Sequence, residues 1–393
     1  MNDISLSAIT SQVLYLSIVF ILLVFPRALQ KYRIPAPLTC FVLGMVTVFY
    51  VADYSQDTTL SFLAALGISS LFLFAGLEVD MHELKKGFWP LLNHLIVRCL
   101  AIFGFTWVGI SYFHFSFQVS GLIALALLTP STGFILESLH GLGLDENEEF
   151  WVKSKAIAGE LLARLLLFVF LKSGSSGDLG TSSAVLIAIA FGLPLLFMFL
   201  GRIVIPFAPG SEFSLLIMVG LIAAYLTKQI GVYYLVGAFF TGLAARQLQE
   251  RMPTLASSEN LHAVQLFASF FVPFYFFYSG MIVPAGALQL ESLWKGLAIT
   301  AVLLPFRVGA VALQRIYVSK DAVKSSFDVA IALAPTLIFT LVIASILYEK
   351  FFISDTLFGG LLVYAAITTL LPSFVLKKPL SLDVLGVDNP PVH

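Results

Sequence analysis

Cysteine and charge are both scarce in this chain of 393 residues. Only Cys40 and Cys99 occur, each inside an apolar run, so they read as packing residues rather than a disulfide. Charged residues make up 11% of the chain, against roughly 25% in a soluble domain. The net charge of -1 gives no reason to propose nucleic acid as a partner. Six histidines are scattered without metal-ligand spacing. A Walker loop, a dinucleotide fingerprint and an HExxH zinc motif are all lacking. These absences argue against an ATP-driven pump and a metalloprotease, and no nucleophile and base are paired by spacing. The expectation is therefore no enzyme, no cofactor and no metal beyond a transported ion. The N-terminus MNDISLS is acidic rather than basic, so the first apolar run reads as a retained span, not a cleavable signal.

What the chain does have is apolar surface. Hydrophobic residues are 59% of it, and the mean hydropathy is +0.96. A soluble fold cannot hide that much, but a bilayer can. Apolar runs of about 17–25 residues recur, each long enough to cross about 30 Å of hydrocarbon. They fall at about 6–26, 35–52, 59–79, 88–113, 118–140, 153–171, 182–205, 212–228, 231–247, 262–282, 293–316, 322–348 and 355–376. The reading is an all-α polytopic membrane protein of about thirteen spans. Short polar separators such as DENEE (145–149) leave no room for a soluble domain, and 377–393 is a short tail.

Loop charge supports the count. With the N-terminus outside, the inside loops hold fifteen Lys and Arg. The outside loops hold four: Lys172, Lys228, Lys295 and Lys350. Arg98, Arg164 and Arg307 lie within spans. This asymmetry follows the positive-inside rule and puts the C-terminus in the cytoplasm.

The order of spans suggests an inverted repeat. Residues 6–171 would form one half and 212–376 the other, with 182–205 as a linker helix. Two spans in corresponding positions are interrupted. Span five reads LALLTPSTGFIL around Pro130, and span twelve reads IALAPTLIFTL around Pro335 and Thr336. A proline removes a backbone donor and clashes with the preceding turn. Freed carbonyls and half-helix ends can then face a cavity and an ion, and paired breaks point to a midplane transport site.

Glu160 is the clearest buried charge, within AIAGELLARLLLFVFL. Its carboxylate suits binding of either a proton or a cation. Arg164 follows at i+4 on the same helix face, so Glu160 also reads as its structural partner. Arg307 interrupts AVLLPFRVGAVAL, as a counter-charge for that carboxylate or as a pin for broken-helix carbonyls. Thr129, Ser131 and Thr132 offer hydroxyl oxygens for a hard cation, unless they bond their own backbone. Arg98 reads as packing near a helix end. Glu78, Asp80 and Glu83 read as a solvated boundary, and Glu137 as either a cytoplasmic funnel or a snorkelling surface residue. The aromatic run FVPFYFFYSGM (271–281) reads as lipid-facing and packing surface.

Several segments in order resemble one family. LFLFAGLEVDMHELKK (71–86), LVGAFFTGLAAR (235–246), FFVPFYFFYSGMIV (270–283) and IALAPTLIFTLVIA (331–344) are similar to segments of the sodium/hydrogen exchanger family. The third-helix segment resembles in particular the monovalent cation:proton antiporter-2 branch. The resemblance implies thirteen helices, a dimerisation domain and a mobile core domain. It also implies two broken helices crossing at the midplane and alternating access by an elevator-like movement. It places the ion-binding carboxylate on Glu160, the basic residue of the later core helix on or near Arg307, and the hydroxyls of the first break on Ser131 and Thr132. The partners implied are a monovalent cation, a proton, membrane lipid and a second copy in a homodimer, with a bacterial inner membrane as the location.

Two positions depart from the family pattern. The aspartate is here a glutamate, which leaves sodium and potassium both open. The preceding position, often Asp or Asn in the family, is Gly159. One carboxylate allows one cation or one proton at a time, so electroneutral exchange is expected. A sodium-coupled organic-anion symporter and a transport-inactive sensor with the same fold stay open at this point.

Overall fold

The computed structural model describes residues 6–32, 34–50, 56–79, 87–173, 176–229, 234–248 and 257–376. Asp80, His82, Glu83 and the tail 377–393 lie outside the described residues, as does the side chain of Glu137. Each expected span coincides with a helix or with a pair of half-helices. The single helices are α1 (Leu6–Gln30), α2 (Ala36–Tyr50), α3 (Thr58–Leu77), α4 (Phe88–Phe113), α7 (Glu146–Lys172) and α8 (Ser176–Ile203). They continue with α9 (Glu212–Gln229), α10 (Tyr234–Gln247), α11 (Ser258–Met281), α12 (Leu290–Gln314) and α15 (Asp355–Val375). Span five is α5 (Phe117–Leu128) plus α6 (Thr132–Ser138), and span twelve is α13 (Val323–Ala332) plus α14 (Leu337–Phe351). Among the described residues, seven helices are long and apolar enough to cross a membrane by length and composition, or eight with α13 and α14 taken as one bent span.

The helices form two bundles. In the first, α3 packs against α9, α10 and α11, and α2 packs on α11. Glycines let the backbones touch: a Cβ on Gly76 would stand 2.2 Å from the Phe239 carbonyl oxygen, and one on Gly44 would stand 1.9 Å from that of Phe277. Small residues at helix crossings serve this purpose where lipid offers no hydrophobic drive between helices. The aromatic run of α11 accordingly turns inward: Phe274, Tyr275, Phe276 and Phe277 are buried, which corrects the lipid-facing part of their expected role.

The second bundle is α4 to α7 with α12 to α15. Here α12 packs on α15, α4 on α5 and α7, and α14 on α5 and α15. Each bundle thus draws helices from both halves of the chain. The bundles meet where α3 approaches α6 and α7 approaches α8.

One boundary differs from expectation. DENEE is not a separator but the start of α7. Asp145 accepts from the Glu148 N–H, and the Glu148 carboxylate accepts from the Asp145 N–H, a reciprocal capping box. Three acidic residues in the first turn add favourable interaction with the helix dipole. The helix therefore begins well before Lys153, and Glu160 sits near its middle. Lys155, one of the fifteen Lys and Arg assigned to the inside loops, is fully buried and donates to the Gln314 side chain.

Candidate functional site

The two breaks lock into one another. The Ser131 N–H donates to the Pro335 carbonyl at 2.8 Å. In return, Ser131 Oγ accepts from the N–H groups of Ile338 and Phe339, at 2.9 and 3.3 Å. Ser131 thus caps the start of α14 from another chain segment, satisfying donors that a helix N-terminus leaves open. Thr336, the N-cap residue of α14, reaches Thr368 Oγ1 at 3.1 Å on α15.

The freed carbonyls on the other side are also met. A helix end in a membrane cannot leave them to water. Thr340 Oγ1 donates to the Ala126 carbonyl at 2.7 Å and Tyr364 Oη to that of Leu127 at 2.6 Å, which covers the end of α5. Arg307 does the same for α13, with Nη1 donating to the Ala334 carbonyl at 2.9 Å and Nη2 to that of Leu333 at 3.1 Å. Nη1 also donates to Tyr364 Oη at 2.9 Å. Of the two roles open to Arg307 from sequence, the geometry places it on the broken-helix carbonyls.

Glu160 lies beside this crossover, 3% exposed. Its Oε2 accepts from the Thr132 N–H at 3.1 Å, at the start of α6. Its Oε1 meets Arg164 Nη2 at 2.7 Å. Arg164, not Arg307, is therefore its cationic partner here. The Arg164 guanidinium also spans to the first bundle, 3.9 Å from the ring centroid of Phe239 on α10 and 4.7 Å from that of Phe72 on α3. Around the break, Thr129 Oγ1 and Thr132 Oγ1 are buried without a hydrogen-bond partner among the described residues. Neither bonds its own backbone, so both oxygens are available to a ligand. A buried carboxylate, two uncommitted hydroxyls and a backbone crossover make a set of hard oxygen donors suited to a small cation or a proton.

A family model described as sodium/hydrogen exchanger, transmembrane, matches residues 16–381. The chain belongs to the sodium/hydrogen exchanger family. It is an integral membrane protein with that family's antiporter fold. Over 381 residues it is 29% identical to the probable Na(+)/H(+) antiporter 3 of Methanocaldococcus jannaschii, covering 92% of this chain and 94% of that protein. Its fold is similar to that of the sodium proton antiporter MjNhaP1 from the same organism. One structure of MjNhaP1, determined at pH 8, gives a TM-score of 0.66 at 15% identity, covering 93% of this chain and 96% of that one. A second, an electron-microscopy structure, gives 0.64 at 15% identity, covering 96% and 99%.

In this exchanger, sequence reasoning missed three contributors and misplaced one. Tyr364 and Thr340 satisfy carbonyls of α5, and Thr368 meets Thr336. The available signal was a polar group inside an otherwise apolar helix, as in LLVYAAITTLLP. Arg98 is not packing near a helix end. It lies buried within α4, and a Cβ on Gly159 would stand 2.0 Å from its Nη1. The guanidinium thus fills the space beside α7 that a side chain at position 159 would take.

Proposed function

We propose that this chain exchanges protons for a monovalent cation, sodium or potassium, and that both compete for the Glu160 carboxylate. The observation that carries this reading is the placement of Glu160: buried, at the crossing of two broken helices, and facing the junction of two bundles. Thr129, Ser131 and Thr132 surround the break. Thr129 and Thr132 would add hydroxyl oxygens for the cation, while Ser131 holds α14 in place.

The charge arithmetic favours one-for-one exchange. Position 159 carries no carboxylate, and Arg98 lies against it. A single carboxylate binding one proton or one monovalent cation has the same charge in both loaded forms. The exchange cycle then moves no net charge.

Arg164 gives the unloaded carrier a resting contact. Paired with Glu160, it stacks on Phe239 and Phe72 of the first bundle and ties the bundles together. A proton or cation on Glu160 releases that pair and frees the second bundle to move. In this scheme the first bundle is the stationary, dimer-forming part in a lipid bilayer. Residues 6–171 and 212–376 are inverted repeats joined by the linker at 182–205, and the N-terminus lies outside a bacterial inner membrane.

Reconstituted vesicles containing a pH-sensitive dye test the reading. Addition of sodium or potassium is expected to drive proton release in the unaltered protein and none in Glu160→Gln. Full cation-driven proton movement in that variant would refute competition at Glu160. Net charge movement across the vesicle membrane during exchange would refute electroneutrality.

A further inference from the structure

A cavity of about 40 Å³ lies within the second bundle, lined by α4, α12 and the α13 break. Its ionisable lining is entirely cationic or imidazole: His94 and Arg98 on α4, and Arg307 on α12. Among the described residues no carboxylate lines it, and Glu160 is already paired with Arg164. Leu128, Phe306 and Leu333 make much of the remaining wall.

The donors facing this space are only partly used. Arg98 Nη1 and His94 Nε2 are buried and find no hydrogen-bond partner among the described residues. The residues are 8% and 4% exposed. Arg307 directs three N–H bonds to Ala334, Leu333 and Tyr364, which leaves two of a guanidinium's five N–H groups. Two guanidinium groups on one small cavity repel each other, and burial without a counter-charge is costly. Broken-helix carbonyls offset the charge of Arg307. Among the described residues no carboxylate does this for Arg98, whose neighbour on α7 is Gly159.

We propose that this cavity binds one small monovalent inorganic anion of the chloride class, held by Arg98 and His94 with Arg307 behind it. The lining sets the class: the unused donors are few and sit together on Arg98 and His94, and the apolar wall of Leu128, Phe306 and Leu333 offers an organic anion no further hydrogen bonds, so the space suits one small inorganic anion. The anion neutralises Arg98 and fastens α4 to the α13 break. It also holds the guanidinium against Gly159, one residue from the exchange site. The inference stands whether or not Glu160 exchanges cations, because it concerns a different cavity and a different charge.

The test uses the purified full chain in detergent at fixed sodium and ionic strength, with chloride replacing gluconate. Radiolabelled chloride is expected to bind saturably at about one ion per chain, and bromide to displace it. The melting temperature is expected to rise with chloride as the logarithm of its concentration above Kd, and not with gluconate. Arg98→Gln is expected to abolish both effects. Since that variant removes a buried side chain, Gly159→Asp provides a second arm. Its carboxylate starts beside Arg98 Nη1, the far end of a flexible side chain that can shift to receive it. This variant is expected to fold, bind no chloride and melt at the same temperature in either salt. The proposal is overturned if the unaltered protein binds no chloride saturably, if gluconate stabilises equally, or if either folded variant binds chloride as the unaltered protein does.

Discussion

Glu160 and Arg164 form a buried ion pair at 2.7 Å, one helical turn apart, and the arginine side faces aromatic rings of the other bundle. The pair therefore joins the ion site to the bundle junction through a single guanidinium. Local chemistry at the carboxylate and the grip between the bundles are one physical event.

Removing half of that pair leaves a buried charge without its partner, which typically costs about 3–5 kcal/mol. Arg164→Gln is expected to lower the melting temperature of the detergent-purified protein, and so is Glu160→Gln. The double variant is expected to melt above the value obtained by adding the two losses, since neither charge is then stranded. Thermal melting of all four proteins checks this. Strict additivity would mean the two side chains act independently.

The ring of Phe239 is the closer of the two aromatic contacts to Arg164. Phe239→Leu keeps an apolar filler but removes the ring face, a contact worth about 0.5–2 kcal/mol. A weaker hold between the bundles is expected to raise the maximal exchange rate. The half-saturating cation concentration is expected to fall, because loading no longer has to break a contact of the same strength. Initial rates in vesicles across a sodium series separate the two quantities.

The site was readable from sequence where its chemistry is local. Pro130 and Pro335 announce breaks because a proline deletes a helix donor wherever it falls. Glu160 and Arg164 announce a pair because i+4 positions share a helix face. The capping box of α7 was equally local, yet the acidic letters of DENEE read as a loop. Arg98 against Gly159 was hidden, since 61 positions of chain separate them and only packing of α4 on α7 brings them together. Ser131 was legible as a hydroxyl at a break, but its role as the cap of α14 depends on a crossing across more than 200 residues. Arg307 was legible as a buried charge, and its choice of carbonyls over carboxylate was set by where α12 places it.

Arg307 and Tyr364 act together on the ends of α13 and α5. Tyr364→Phe leaves the Leu127 carbonyl unmet, at an expected cost of about 1–3 kcal/mol. Arg307→Ala leaves two carbonyls unmet, those of Leu333 and Ala334, so the loss should be larger. Arg307→Lys should fall between, because one ammonium cannot reproduce the planar fork. The order Tyr364→Phe, Arg307→Lys, Arg307→Ala in falling melting temperature is the expected result.

The hydroxyls at the first break divide into one that holds structure and two that are free to bind. Ser131 Oγ accepts from two backbone amides of α14, so Ser131→Ala is expected to destabilise by about 1–3 kcal/mol. Thr129 Oγ1 and Thr132 Oγ1 have no partner among the described residues. Replacing a buried, unpaired hydroxyl by a methyl of similar shape is near neutral or stabilising. Thr129→Val and Thr132→Val are therefore expected to keep or raise the melting temperature. If these oxygens ligate the cation, the same variants raise its half-saturating concentration in vesicles by about tenfold, the loss of roughly 1.4 kcal/mol of binding. Stable variants with unchanged cation affinity would leave Glu160 as the one side chain that sets the site.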